Sequence, residues 1–210
     1  MGMATTQTPR AQRSPAELPP ERMWTADEVR ELVDESRPWP RFECARGRLL
    51  VTPAPKDLHQ VVVLRLAQAL ANYCDAHFEP GVAMVSPADI SWGHRDTTLQ
   101  PDVYVAPRTM LRASSLHESS TAGWREVRHV LLAAEVLSPS SVTYDREDKR
   151  LIYQAEGTPL YWVLDWREGT AEVWTPAATA PPVERERLVW HPEGAAVPFE
   201  LRLDDLFRPL

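Results

Sequence analysis

Three residues in the middle of this chain are of types that do chemistry together. Asp102 follows Pro101 and opens the stretch VYVAP; Glu135 closes the apolar run Val130 to Ala134; Lys149 follows one small polar loop later. An ionised carboxylate at the end of an apolar strand is costly unless a cation, a metal ion or several hydrogen bonds meet it. Two acids delivered by adjacent strands repel each other, and a divalent metal with oxygen ligands relieves that repulsion most directly. A lysine beside them adds a compact point charge that can meet developing negative charge. The same residues also suit a simpler arrangement: a buried Glu135–Lys149 ion pair, with Asp102 capping the turn after Pro101. Residue types and spacing leave both open.

The flanking patterns name the elements that must carry these side chains. TTLQPDVYVAP reads as a strand, with Asp102 just inside it and Val103 and Val105 on one face. HVLLAAEVLS is almost continuously apolar, as a central strand buried on both faces would be. Asp145 to Glu156 reads as a helix, with Leu151, Ile152 and Ala155 inward and Gly157 as its stop. Lys149 lies in its first turns and shares a flank with Ile152 and Tyr153, while Asp148 falls nearer the middle of the apolar stripe. PLYWVLDW is a further buried strand, and GTAEVWTP pairs back on it. RERLVWH and FELRLDDLF close the chain as a strand and a last short strand or helix.

Upstream, Thr25 and Glu28 make a capping-box pattern for a short helix ending before Pro38. FECARGRLLV predicts an N-terminal hairpin turning at Arg46-Gly47. DLHQVVVLRLAQALANYCDAH predicts the longest helix, and EPGVAMVSPADISW two short strands around a proline turn. Residues 107–126 predict a long polar loop. The fold class is α/β (α+β): a mixed β-sheet flanked by helices, one domain over residues 23–210 behind a disordered tail of residues 1–22.

Composition narrows the function classes. The net charge of −7 argues against a protein that coats nucleic acid along its whole surface, but not against a small acidic site that binds phosphates through metal ions. Cys44 and Cys74 form no C-x-x-C pair, which argues against a disulfide framework or a zinc site. No apolar run approaches the roughly 20 residues of a membrane helix, and the N-terminal stretch lacks the apolar centre of a secretory signal, so the expected location is cytoplasmic, with no membrane partner.

QPDVYVAP, LLAAEVLSPSS and YDREDKRLIYQAEGTPLYWVLD, in this order, resemble the Uma2 family (DUF820), bacterial proteins of the PD-(D/E)XK restriction-endonuclease-like superfamily. GRLLVTPAPKDLHQ and VSPADISW extend the resemblance to roughly residues 40–207. It implies a restriction-endonuclease-like core and a hydrolase that cleaves nucleic acid, DNA first, with Mg²⁺ or Mn²⁺. It implies that Asp102 and Glu135 hold the metal with the backbone carbonyl of Val136, and that Lys149 is the catalytic lysine. The usual E-x-K spacing would put that lysine at position 137, where Leu137 stands. His59, Asp89 and Tyr153 match accessory positions. One stretch departs: where such sequences carry an acid before the hairpin turn, this chain has Cys44-Ala45-Arg46-Gly47, with Glu43 one step away. Arg95, Arg108, Arg112, Arg146 and Arg150 are candidate backbone contacts. The alternative reading is a non-catalytic nuclease-fold binding or scaffold protein, with a homodimer as one form.

Overall fold

The structure, a computed structural model, describes residues 22–33, 39–110 and 127–210. The expected tail, apart from Arg22, and most of the expected polar loop, including Arg112, lie outside the described residues.

Helix α1 (Ala26–Arg30) opens on the capping box read from the sequence. The Glu28 amide donates to Thr25 Oγ1 at 3.2 Å, and the Thr25 amide donates to the Glu28 carboxylate at 2.9 Å. Strands β1 (Arg41–Ala45) and β2 (Arg48–Thr52) pair antiparallel across Arg46-Gly47. Both turn residues take positive φ, 51° and 82°, which matches the turn's twist to that of its strands. Helix α2 (Asp57–His77), 21 residues long, is the longest among the described residues.

Six strands form one mixed sheet in chain order: β3 (Gly81–Val85), β4 (Val103–Pro107), β5 (Leu132–Val136), β6 (Tyr161–Asp165), β7 (Thr170–Trp174) and β8 (Val183–Glu184). Only β5 and β6 run parallel. A parallel pair needs a crossover, and residues 137–160 supply it, with a helical turn over Tyr144–Lys149 that continues as α3 (Arg150–Ala155). Strands β9 (Arg187–Trp190) and β10 (Phe199–Arg202) pair antiparallel and lead into α4 (Leu203–Phe207).

The two faces of the sheet carry different partners, and the two-residue period decides which side chain goes where. Val103, Val105, Leu132, Ala134, Val136, Trp162 and Leu164 point to the face packed by Val62, Leu66, Leu70 and Tyr73 of α2. Tyr104, Ala133, Tyr161 and Val163 point to the opposite face, packed by Leu50 of the hairpin and by Ile152 and Tyr153 of α3. Asp102 and Glu135 have the parity of this second face. Val103 pairs with Ala134, so continuing the register places Asp102 opposite Glu135.

The structure corrects three details. The stretch after Pro87 forms no second strand: Ile90 bonds only Leu99 and Val127 as isolated bridges, and proline at 87 offers no N–H to extend a ladder. Asp102 sits one residue before β4 rather than inside it. Leu151 and Ala155 face outward, because the buried stripe of this helix runs Asp145, Lys149, Ile152, Tyr153. Its first half is charged, so an apolar wheel centred it on the wrong flank.

Leu66 is fully buried beneath the sheet and Leu64, on the same helix, is 68% exposed. Leu66→Ala should cost about 2–5 kcal/mol in urea unfolding, through lost transfer energy and a residual cavity. Leu64→Ala should stay within about 0.5 kcal/mol of wild type. Equal costs would refute this packing of α2.

Candidate active site

Glu135, Lys149, Asp145 and Glu43 are 3%, 4%, 1% and 2% exposed, so all four charges sit essentially out of water. They arrive on three different supports. Glu135 comes from the central strand β5, Asp145 and Lys149 from the helical turn that follows it, and Glu43 from the hairpin strand β1. Lys149 Nζ lies 2.8 Å from Glu135 Oε1, 3.1 Å from Glu43 Oε2 and 3.4 Å from Asp145 Oδ1. The Asp145 contact is too poorly aligned to be a hydrogen bond, so that buried oxygen has charge nearby but no donor.

Asp102 stands beside this cluster with its own supports. Its Oδ2 accepts the Val136 amide at 2.9 Å and meets His59 Nε2 at 3.1 Å. Its Oδ1 is 3.9 Å from Arg41 Nη1, beyond hydrogen-bond length. His59 reaches it from the first turn of α2, and the imidazole's Nδ1 is buried without a hydrogen bond. Val136 therefore acts on the site through its N–H as well as standing next to Glu135.

The electrostatics follow from burial and from four acids facing one ammonium. Burial pushes the Glu135 carboxyl well above its ordinary range, and Lys149 offsets this only in part against Asp145, Asp102 and Glu43. Burial likewise raises Asp145, to about 6. Burial alone would lower Lys149, but Glu135, Glu43 and Asp145 outweigh it and hold the ammonium charged. Burial would raise Asp102, but the His59 hydrogen bond and charge, with the Val136 amide, bring it below the usual carboxylate value. His59 in turn is raised, since Asp102 outweighs its desolvation.

The side chains of Glu43, His59, Asp102, Glu135, Asp145 and Lys149 line a narrow cleft of about 30 Å³, together with Trp39, Arg41 and Pro55. Its donors suit a hard divalent cation: carboxylate oxygens in excess, one of them on Asp145 without a donor. Among the described residues, though, no three His, Cys, Asp or Glu side chains already stand as a ligand set.

The sequence-predicted residues divide clearly. Asp102, Glu135, Lys149 and His59 are brought together. Asp89 is not in the cleft: it binds Arg30 at 2.9 Å and the Gln100 side chain at 2.9 Å. Gln100 is the link, because its backbone amide donates to Glu43 Oε1 at 2.6 Å. Tyr153 is fully buried and stacks on Tyr161 at 4.6 Å, as packing beneath the charges. Arg108 and Arg146 are engaged by acids, and Arg150 lies over Trp174. Sequence reading noted Glu43 only as an acid one step from the expected position and left it out of the site, and it missed Asp145. Glu43 carried a usable signal, an acid between apolar hairpin residues; Asp145 was hidden among the charges of YDREDK.

A family model described as "Putative restriction endonuclease", Uma2, matches residues 26–204. A crystal structure of a "putative nuclease belonging to DUF820" from Anabaena variabilis ATCC 29413 is similar, with TM-score 0.66 and 22% identity over 88% of this chain and 97% of that one. At that identity the likeness is one of fold. No curated protein matches this chain. Among the described residues no helix is long and apolar enough to cross a membrane.

Stability should depend on pH through this cluster. Between the ordinary aspartate value of 3.8 and about 6 the folded state holds a proton on Asp145 that the unfolded chain releases. The folded state then binds more protons, so its stability grows as pH falls through that window and is lost as pH rises through about 6. The raised Glu135 and His59 act in the same direction, and the depressed Asp102 opposes only below 3.8. The Tm from thermal melts should be higher at pH 5 than at pH 8, with a flatter profile in Asp145→Asn. A wild-type Tm that rises from pH 5 to pH 8 would contradict the arrangement.

Proposed function

The chain belongs to the Uma2 family, and on that footing we propose that it is a metal-dependent endonuclease hydrolysing phosphodiester bonds in DNA in the cytoplasm. The observation that carries the reading is the juxtaposition of Asp102 and Glu135 across neighbouring strand ends with Lys149 held 2.8 Å from Glu135 inside one cleft. Asp102 and Glu135, with the backbone carbonyl of Val136, would hold Mg²⁺ or Mn²⁺. Such an ion, when bound, polarises the scissile phosphate and lowers the pKa of water.

The chain's own residues supply the rest. His59 and the Val136 amide fix Asp102 and keep it ionised. Lys149 Nζ offers its N–H donors to the attacking water or to the phosphate oxygen on which charge develops. Glu43 and Asp145 hold that ammonium in place, and Gln100 fixes Glu43. The walls of the cleft limit water, so these charges act in a low dielectric.

A second reading has an observation of its own. Lys149 already pairs with three carboxylates, and among the described residues no set of three acids stands ready for a metal. That favours a non-catalytic member that keeps the cluster as a structural network.

Cleavage of plasmid and of single-stranded DNA with Mg²⁺ or Mn²⁺ separates the two. Asp102→Ala, Glu135→Ala and Lys149→Ala should each lower the rate at least about 100-fold, the scale of losing a placed acid–base or electrostatic group. Calorimetry should show Mn²⁺ binding that Asp102→Ala weakens. No cleavage and no Mn²⁺ binding by wild type would favour the structural network instead.

A further inference from the structure

Arg41 is the arginine that lines the cleft, and it was not among those singled out in the sequence. Its guanidinium lies 4.5 Å from the centre of the Trp39 ring and 3.9 Å from Asp102 Oδ1. Its side chain is 19% exposed. It hydrogen-bonds to no described residue, whereas Arg108, Arg146 and Arg150 spend their donors within the fold. An arginine carries five N–H donors in a fixed fork that matches the oxygens of a phosphate. A planar guanidinium over a tryptophan face is held in place by cation–π attraction without using those donors.

The position of the pair matters as much as its chemistry. Trp39 and Arg41 line both the acidic cleft and a neighbouring groove that runs along Gln60, Leu64 and Val85, and Asp102 is shared by the two. A strand that lies along this groove and reaches into the cleft passes Arg41. The four acids of the site repel that strand, so a cation here whose donors no described residue takes offsets the repulsion.

We infer that Arg41, positioned by Trp39, binds a backbone phosphate of the nucleic-acid substrate at the mouth of the cleft. This rests on the nuclease reading and adds to it a contact for positioning the substrate. Arg41 does not touch the reacting bond; it sets where the strand lies.

The test is fluorescence anisotropy with the full chain and a labelled single-stranded DNA 16-mer, in EDTA so that no turnover occurs, over a series of salt concentrations. One lost phosphate contact on a single strand lowers the slope of log affinity against log salt by about 0.7. Arg41→Ala should show that loss and weaken binding about tenfold at low salt. Arg41→Lys should keep the slope but bind less tightly, since an ammonium cannot reproduce the fork. Trp39→Leu should weaken binding with the slope retained. Arg167 supplies a matched control, because it lies over Trp166 at 5.2 Å in an exposed turn and lines neither the cleft nor the groove. Arg167→Ala should leave the slope at the wild-type value.

Equal slopes for Arg41→Ala and wild type overturn the inference, as does an equal loss in Arg41→Ala and Arg167→Ala, which would mean diffuse attraction. No binding by wild type in EDTA also overturns it. The cleavage assay judges the nuclease reading separately, so the two can fail independently.

Discussion

Everything around the cleft depends on one ammonium. Lys149 Nζ is shared by Glu135, Glu43 and Asp145 in a place with almost no water. Remove it and three or more buried carboxylates would face one another, each needing a proton or another cation. The sheet, the hairpin and the crossover helix each contribute a charge to this point. Their packing cannot be optimised independently of it. The apolar partition of the two sheet faces does the rest: it decides that Asp102 and Glu135 rise on the side covered by the crossover helix and the hairpin, with His59 of α2 reaching Asp102 at its edge.

Much of this was legible before the structure. The apolar run to Ala134 marked a strand buried on both faces, and β5 is one. The spacing of Val62, Leu66, Leu70 and Tyr73 marked α2, and Arg46-Gly47 marked the hairpin turn. The neighbouring of Asp102 and Glu135 was also readable, since adjacent strands deliver both, whereas Lys149 was placed beside them by the family resemblance and not by its helix. What failed did so for a physical reason. A helical wheel scores apolar side chains, and the inward stripe of this helix begins with Asp145 and Lys149, so the wheel turned toward Leu151. Glu43 and Arg41 come from a hairpin remote in sequence, and only tertiary packing sets their distance from β5. No local pattern encodes that.

The ion pair and the metal site first offered as rival readings of the same residues are compatible in this geometry. Glu135 has two carboxylate oxygens and Lys149 occupies one of them, with Oε1 at 2.8 Å. The raised Glu135 and Asp145 carboxyls express the residual repulsion that one lysine does not cancel. A cluster poised in this way binds cations of any kind more readily than a neutralised pair would. On the proposed metal-dependent reading, protons and metal would compete for these carboxylates, as in any site whose ligands must be deprotonated to coordinate.

The crossover between β5 and β6 has a wider meaning. Leu137 shares the sheet face of Glu135 and is buried against the same cluster of side chains, while Lys149 approaches that region from the helix above. Strand and helix thus each deliver a charged side chain to one cleft, Glu135 from β5 and Lys149 from the crossover. The charge reaches the cleft through the fold, not through its spacing from Glu135 along the chain. A pattern that asks for a lysine two residues after Glu135 meets Leu137 here and passes this chain by, although Lys149 stands 2.8 Å from that carboxylate.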